Sequence, residues 1–235
     1  MLVNGWQRPH HQRIMQVLTQ FDRQLLIECG CYFAGGTAIV LQLGEYRESV
    51  DIDFLCASAE GYRRLRNLVS FDSLDAICHH PVALQREVRM DQYGIRTWII
   101  TDDRPIKLEI VREARIDLAQ AHDDLAWPVP LLAREDLFTE KLLANTDRGL
   151  DRAILSRDLI DLAMMIDGWG AIPDLAWQRA ELAYGASVRR VYHKTLLLLQ
   201  NPRYRRDCLR QMQMDGALEL RIMQALGLPI EGRSD

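Results

Sequence analysis

What the chain lacks sets the first limits. No apolar run approaches the roughly 18 residues that a membrane-crossing helix needs; the purest, four leucines at 196–199, is far too short. The opening residues Met-Leu-Val-Asn-Gly-Trp-Gln-Arg hold no apolar signal core, so nothing argues for export and the expected location is cytoplasmic. No Cys-x-x-Cys pair occurs among the five scattered cysteines, and Cys29 and Cys31 flank one glycine, which is not zinc-knuckle spacing. The expectation is buried thiols in a reducing compartment. The adjacent pairs His10-His11 and His79-His80 point their rings in different directions and make poor metal sites. An excess of positive charge is also missing. The formal net charge is −4, whereas a protein that merely coats nucleic acid is basic overall. Repeats and low-complexity tracts are absent.

What is present is ordinary globular composition: 235 residues, 48% apolar and 26% charged, enough chain to bury a core without disulfides. Apolar spacings of three and four predict a helix over residues 9–28, with Gly30 as its stop. Tyr32-Phe33-Ala34 reads as a strand, residues 37–43 as a short helix, and residues 52–55 as a buried strand. Residues 74–112, with apolar runs at 82–84, 95–101 and 106–111, read as antiparallel strands. Beyond Trp127-Pro128-Val129-Pro130 the pattern turns helical, with breaks near Gly149, 168–173, Gly185 and Asn201-Pro202. The predicted class is α+β: a mixed sheet with flanking helices over residues 1–130, then an all-helical domain over 131–235.

The sharpest chemical feature is Asp51-Ile52-Asp53-Phe54. On an extended strand, positions two apart share a side, so Asp51 and Asp53 present two carboxylates while Ile52 and Phe54 face the core. Two like charges so close are unfavourable without a cation between them, and Mg²⁺ (or Mn²⁺) is the hard, oxygen-seeking candidate. Glu109, alternating with Leu108 and Ile110, is a candidate third acid; a site for two metals would hold the oxygens of an in-line phosphoryl displacement. Gly35-Gly36-Thr37 offers a phosphate cradle. Glycine lets the backbone approach an anion, a helix then begins with unpaired amides, and the Thr37 hydroxyl can add a bond.

The order strand, Gly-Gly, short helix, Asp-x-Asp carries a resemblance. Phe33-Ala34-Gly35-Gly36-Thr37-Ala38, Leu41, Leu43, Arg47, Ser49 and Asp51-Ile52-Asp53-Phe54 closely resemble the first motif of the AbiEii/AbiGii-type nucleotidyltransferases. These are toxins of bacterial type IV toxin–antitoxin systems and their solitary relatives, with a polymerase-β-like core. Arg134-Glu135-Asp136-Leu137 with Lys141-Leu142, Asp147-Arg148-Gly149, and Arg157-Asp158-Leu159-Ile160-Asp161-Leu162 look like the family's later helical motifs. The superfamily's usual Gly-Ser is Gly35-Gly36 here, and residues beyond 162 carry no recognised motif. The resemblance implies Asp51 and Asp53 as metal-binding aspartates, Ser49 near phosphate, and Lys141, Arg157 and Asp158 at the nucleotide. It further implies an NTP substrate, a tRNA 3′ end as acceptor, and an antitoxin partner.

Read from the residues alone, Lys141 sits on a helix whose Leu137, Phe138 and Leu142 face inward, from whose rim an ammonium can reach a triphosphate. Asp158 and Asp161, three apart, share a helix face, and Asp158 can pair with Lys141 or Arg148. Residues 186–210 hold Arg189, Arg190, Lys194, Arg203, Arg205, Arg206 and Arg210 against Asp207 alone, with Tyr192 and Tyr204 interleaved. Such a surface suits a polyanion such as tRNA. The predicted reaction moves a nucleoside monophosphate from an NTP to an acceptor hydroxyl. A protein or small-molecule acceptor, or a non-catalytic binding module on the same fold, are the alternatives.

Overall fold

The computed structural model describes residues 5–119 and 124–229; the first four residues, on which the absence of an export signal partly rests, lie outside them. Two compact units emerge. One comprises Met1–Leu41 and Ser49–Ala133, the other Gln42–Glu48 and Arg134–Asp235.

The first unit opens with two helices rather than one, α1 (Pro9–Leu18) and α2 (Arg23–Glu28). The expected single helix breaks because Asp22 adopts an extended backbone and its side chain accepts the Leu25 N–H at 3.0 Å, an N-cap that restarts the helix. The chain then runs through β1 (Cys31–Ala34), α3 (Gly35–Gln42), β2 (Ile52–Cys56), α4 (Ala59–Leu68), β3 (Leu84–Met90), β4 (Gly94–Ile99) and β5 (Ile106–Arg112). Helix α4, for which no expectation was stated above, is capped by Ser58, whose hydroxyl accepts the Gly61 N–H at 2.9 Å.

The sheet order is β1-β2-β5-β4-β3. Only β2 and β5 run parallel; the other neighbours are antiparallel. The sheet is therefore mixed, as the α+β class requires. Along β2, β4 and β5 buried and half-buried residues alternate, so one face packs on the core while the other stays polar. Ile14, Leu18, Phe21, Leu26, Phe33, Phe54, Ile95 and Ile110 belong to that core. Strand β3 begins at the last residue of the apolar cue at residues 82–84 and runs six residues beyond it. It is an edge strand with a largely exposed, charged sequence, which weakens its apolar signature.

The Trp-Pro-Val-Pro break does not end this unit. Phe33 donates its N–H to the Pro130 carbonyl at 2.8 Å and accepts from Leu132 N at 3.0 Å, so the segment stays docked on β1. The unit boundary falls at Ala133 instead, and Gln42–Glu48 group with the helical unit.

The second unit contains α5 (Arg134–Arg148), α6 (Arg157–Trp169), α7 (Asp174–Tyr184), α8 (Ser187–Gln200), α9 (Pro202–Gln211) and α10 (Leu218–Ala225). Breaks coincide with Gly170, Gly185 and Pro202, as the sequence indicated. Helix α5 packs against α6, α7 and α8, and α6 against α10. Among the described residues no helix is long and apolar enough to cross a membrane. The five cysteines are free thiols, four of them buried.

Candidate active site

In the first unit, Asp53 is the register partner of Ala34 on β1 and of Glu109 on β5. Gly35 follows Ala34 directly at φ +70°, and a Cβ there would stand 2.5 Å from Asp53 Oδ2 and 2.9 Å from its Cβ. Glycine is thus required twice at this position, for a left-handed backbone and for the close approach of the carboxylate. Gly36 is half-exposed in the first turn of α3.

Thr37 is buried and spends its hydroxyl internally. Its Oγ1 donates to the Asp51 carbonyl at 2.5 Å and lies 2.8 Å from Ser49 Oγ. Both hydroxyls, expected near phosphate, tie the start of α3 to the segment that enters β2. Two histidines brace that same segment. Ser49 N donates to His11 Nε2 at 3.0 Å, so that nitrogen is unprotonated. His10 accepts from Arg104 Nε on Nδ1 at 3.1 Å, so its Nε2–H donates to the Val50 carbonyl at 3.1 Å. Neither role has a sequence signal beyond two adjacent histidines.

The three expected acids do not form a ready cage. Among the described residues no three His, Cys, Asp or Glu side chains group closely enough to hold a metal ion. Glu109 is engaged instead by Lys107 Nζ at 2.7 Å and Arg96 Nε at 3.1 Å. Burial works against the Lys107 charge, yet the bond and charge of Glu109 and the charges of Asp51 and Asp53 outweigh it and raise the ammonium above its ordinary pKa. A cation is therefore favoured where these acids meet. Asp51 and Asp53 fit Mg²⁺ or Mn²⁺ chemically, because Mg²⁺ is commonly held by one or two carboxylates together with substrate phosphates. Lys107 was legible only as part of a strand.

The second unit holds a buried ionic network. Lys141, 5% exposed, places Nζ 3.0 Å from Asp158 Oδ1 and 2.6 Å from Asp161 Oδ2. Arg148 is bidentate to Asp158 at 2.7 and 2.9 Å. Arg47 is bidentate to Asp161 at 2.7 and 2.8 Å, and Tyr46 donates to the same carboxylate at 2.7 Å. Burial alone would raise both aspartate pKa values; Lys141 and Arg148 instead bring Asp158 down to about 2, and Arg47 and Lys141 hold Asp161 lower still. Burial and the Asp161 charge push the Tyr46 phenol up. Asp158 thus engages both of the cations considered for it, and Lys141 is buried rather than on a rim. The parts played by Arg47 and Tyr46 have no local signal. Glu45, Leu155 and Ser156 carry φ of 58°, 58° and 49°; such backbone costs about 1–3 kcal/mol per residue and persists only where packing enforces it. Arg157, half-buried, has no ion pair among the described residues.

The basic segment is largely spent within the unit. Arg205 is buried against Glu219 and the Leu199 carbonyl. Arg206 also pairs with Glu219, Arg189 with Glu181, and Arg210 with Asp207. Tyr192 packs edge-on against Trp177 at 5.1 Å, and Tyr204 lies 3.0 Å from Ser156 Oγ with Arg152 over its ring. Only Arg190, Lys194 and Arg203 of the seven have no ion pair among the described residues. The charge count misled because Glu181 and Glu219 lie outside the window but beside it in space.

Residues 17–225 match the family model described as nucleotidyl transferase AbiEii toxin, type IV TA system. No curated protein matches. Among solved structures, a candidate nucleotidyltransferase from H. pylori is 17% identical, with 80% of this chain and 96% of that one covered and a TM-score of 0.34. JHP933 from Helicobacter pylori is 16% identical, with 89% and 100% covered and a TM-score of 0.33.

Proposed function

The chain belongs to the AbiEii family of nucleotidyl transferase toxins of type IV toxin–antitoxin systems, and from that premise we propose that it transfers a nucleoside monophosphate from an NTP to the 3′ hydroxyl of a tRNA. The observation that carries this reading is the fit of Gly35 to Asp53. The backbone of the strand-to-helix turn comes so close to the second aspartate that no side chain can stand there. A turn built that way brings the Asp53 carboxylate against the start of α3, whose first amides can receive a nucleotide's phosphates.

In the proposed reaction the acceptor oxygen bonds to the α-phosphorus, the bond from that phosphorus to the departing pyrophosphate breaks, and the hydroxyl proton leaves. A divalent cation at the aspartates would supply neutralisation of the triphosphate and of the developing oxyanions. Asp51 or Asp53 takes the proton. The α3 amides orient the phosphates, and Lys107 balances the acids. Thr37, His10 and His11 keep the Asp51 segment in place. The family also implies an antitoxin partner.

Incubation with labelled NTPs, total tRNA and Mg²⁺ tests this. Label is expected on tRNA, and Asp51→Asn and Asp53→Asn should each lower transfer by at least about a hundredfold with melting temperatures near wild type. Transfer at the wild-type rate in either variant would remove the site, and labelled protein or small molecule in place of RNA would remove the acceptor.

A further inference from the structure

The polar face of the five-stranded sheet carries two continuous rows. Asp53, Glu109, Arg96 and Arg89 are successive register partners across β2, β5, β4 and β3. Beside them run Lys107, Trp98 and Arg86. Directly opposed residues project on the same side, and the intervening Phe54, Leu108, Ile110, Ile95 and Ile99 are buried on the other. Arg86 and Arg89 are three apart and in a regular strand would point to opposite faces. The register shift between them lets both oppose Trp98 and Arg96, which are only two apart on β4; an extra residue in one strand re-aims side chains in this way. Both arginines are exposed, and Trp98 and Arg96 half-buried. The Arg86 guanidinium stacks 5.6 Å from the centre of the Trp98 ring. Together with Lys107 these four residues line a cavity of about 170 Å³, in which Glu87 is the one carboxylate.

Charge changes sign along this face, from carboxylates on β2 and β5 to guanidinium groups on β4 and β3. Three strand spacings, about 14 Å, separate β2 from β3, so Arg86 and Arg89 lie well away from Asp53, while Arg96 on β4 stands between, paired with Glu109 at 3.1 Å and Asp91 at 3.5 Å. The chemistry proposed above uses none of these arginines.

We propose that this face holds the acceptor as a single-stranded polynucleotide. Its 3′ hydroxyl lies at the Asp51–Asp53 end, a base stacks on the Trp98–Arg86 platform, and its phosphates meet Arg86, Arg89 and Arg96. The assignment rests on the nucleotidyltransferase reading and moves the acceptor away from residues 186–210. Two features select a nucleic acid strand. Positive side chains that track a backbone beside an aromatic stacking surface are the recurring means of holding single strands, and guanidinium planes stack on bases as indole rings do. An acidic peptide would satisfy the arginines but leave the indole and guanidinium plane unused.

The test measures binding of a labelled single-stranded RNA with a free 3′ hydroxyl to the full chain, with NTP binding followed separately. Trp98→Leu is expected to weaken RNA binding about tenfold, whereas Trp98→Phe keeps the ring and most of the affinity. Arg86→Gln with Arg89→Gln should weaken binding and flatten the salt slope by about 1. NTP binding should stay at the wild-type level in all three. A 4-thiouridine placed about two nucleotides in from the RNA 3′ end, the span of the three strand spacings, should crosslink within residues 84–99. Unchanged RNA affinity and salt slope in the variants, or a crosslink confined to the helical unit, overturns the proposal. If Trp98→Leu does not fold, Trp98→Phe, the double arginine variant and the crosslink still decide. RNA binding that responds as expected in a protein that transfers no nucleotide would support the face and refute the nucleotidyltransferase reading instead. Transfer to a protein or small molecule, unaltered in the variants and without RNA binding, would do the reverse.

Discussion

Arg47 closes on Asp161 with two parallel hydrogen bonds, Nε to Oδ1 at 2.7 Å and Nη2 to Oδ2 at 2.8 Å, across 114 positions of sequence. The pair is almost wholly buried and shares Asp161 with Lys141. A short segment between α3 and β2 is thereby anchored to the helical unit. Burying these charges is costly, so each must keep its partner.

Removal of Asp161 therefore leaves the buried Arg47 without its carboxylate and Lys141 with Asp158 alone. Asp161→Ala is expected to destabilise the protein by about 3–5 kcal/mol, and Asp161→Asn by less because the amide oxygen still accepts. Chemical denaturation measures this. An unaltered midpoint in Asp161→Ala would show that the network contributes nothing.

Acid should weaken the same network. The folded pKa of Asp158, about 2, lies below its ordinary 3.8, so its contribution is complete above about pH 4 and is lost as pH falls toward 2. The contribution is on the order of 2 kcal/mol. The stability gap between wild type and Asp158→Asn should shrink through that window. A gap that is constant from pH 5 to about 2 would contradict the assignment.

At the turn, Gly35→Ala forces a Cβ to 2.5 Å from Asp53 Oδ2 and puts alanine in left-handed backbone, which costs about 1–2 kcal/mol. Asp53 must shift. Nucleotide transfer should fall far more than stability does, by at least about a hundredfold, since small misplacements of reacting groups cost that much. Comparison of melting temperature with transfer rate checks it. Wild-type transfer in a folded Gly35→Ala would mean that the close contact has no functional weight.

Further back, His11→Leu leaves the Ser49 N–H without its acceptor. The expected loss is about 1–3 kcal/mol, with faster hydrogen exchange at Ser49. His11→Gln, whose side-chain oxygen can accept, should recover part of it. Equal effects of the two substitutions would assign the role to packing alone.

Much of this protein is local and therefore legible in the chain. The alternation in Asp51-Ile52-Asp53-Phe54 sends acids one way and apolar groups the other, because successive side chains on a strand point to opposite faces. Gly35 and the breaks at Gly185 and Pro202 act through their own backbone dihedrals. The mixed class, the helical second half and the family membership all followed from such short-range patterns.

Charge is different, because its effect depends on distance in space. Seven basic residues in residues 186–210 read as a polyanion surface until Glu181 and Glu219 neutralised part of it. Lys141 read as a rim residue until α6 brought two aspartates to its ammonium. Glu109 stands alone among the apolar residues of its strand, and only the sheet shows that β4 and its own strand bring Arg96 and Lys107 to it. The bulge that turns Arg86 and Arg89 to one face is a property of the β3–β4 pairing and of neither strand alone. Residue type and periodicity determined the elements and where the acids stand along them. Which charges stay open to a substrate was decided only in the tertiary structure, where each carboxylate meets the cations that packing brings within hydrogen-bond reach.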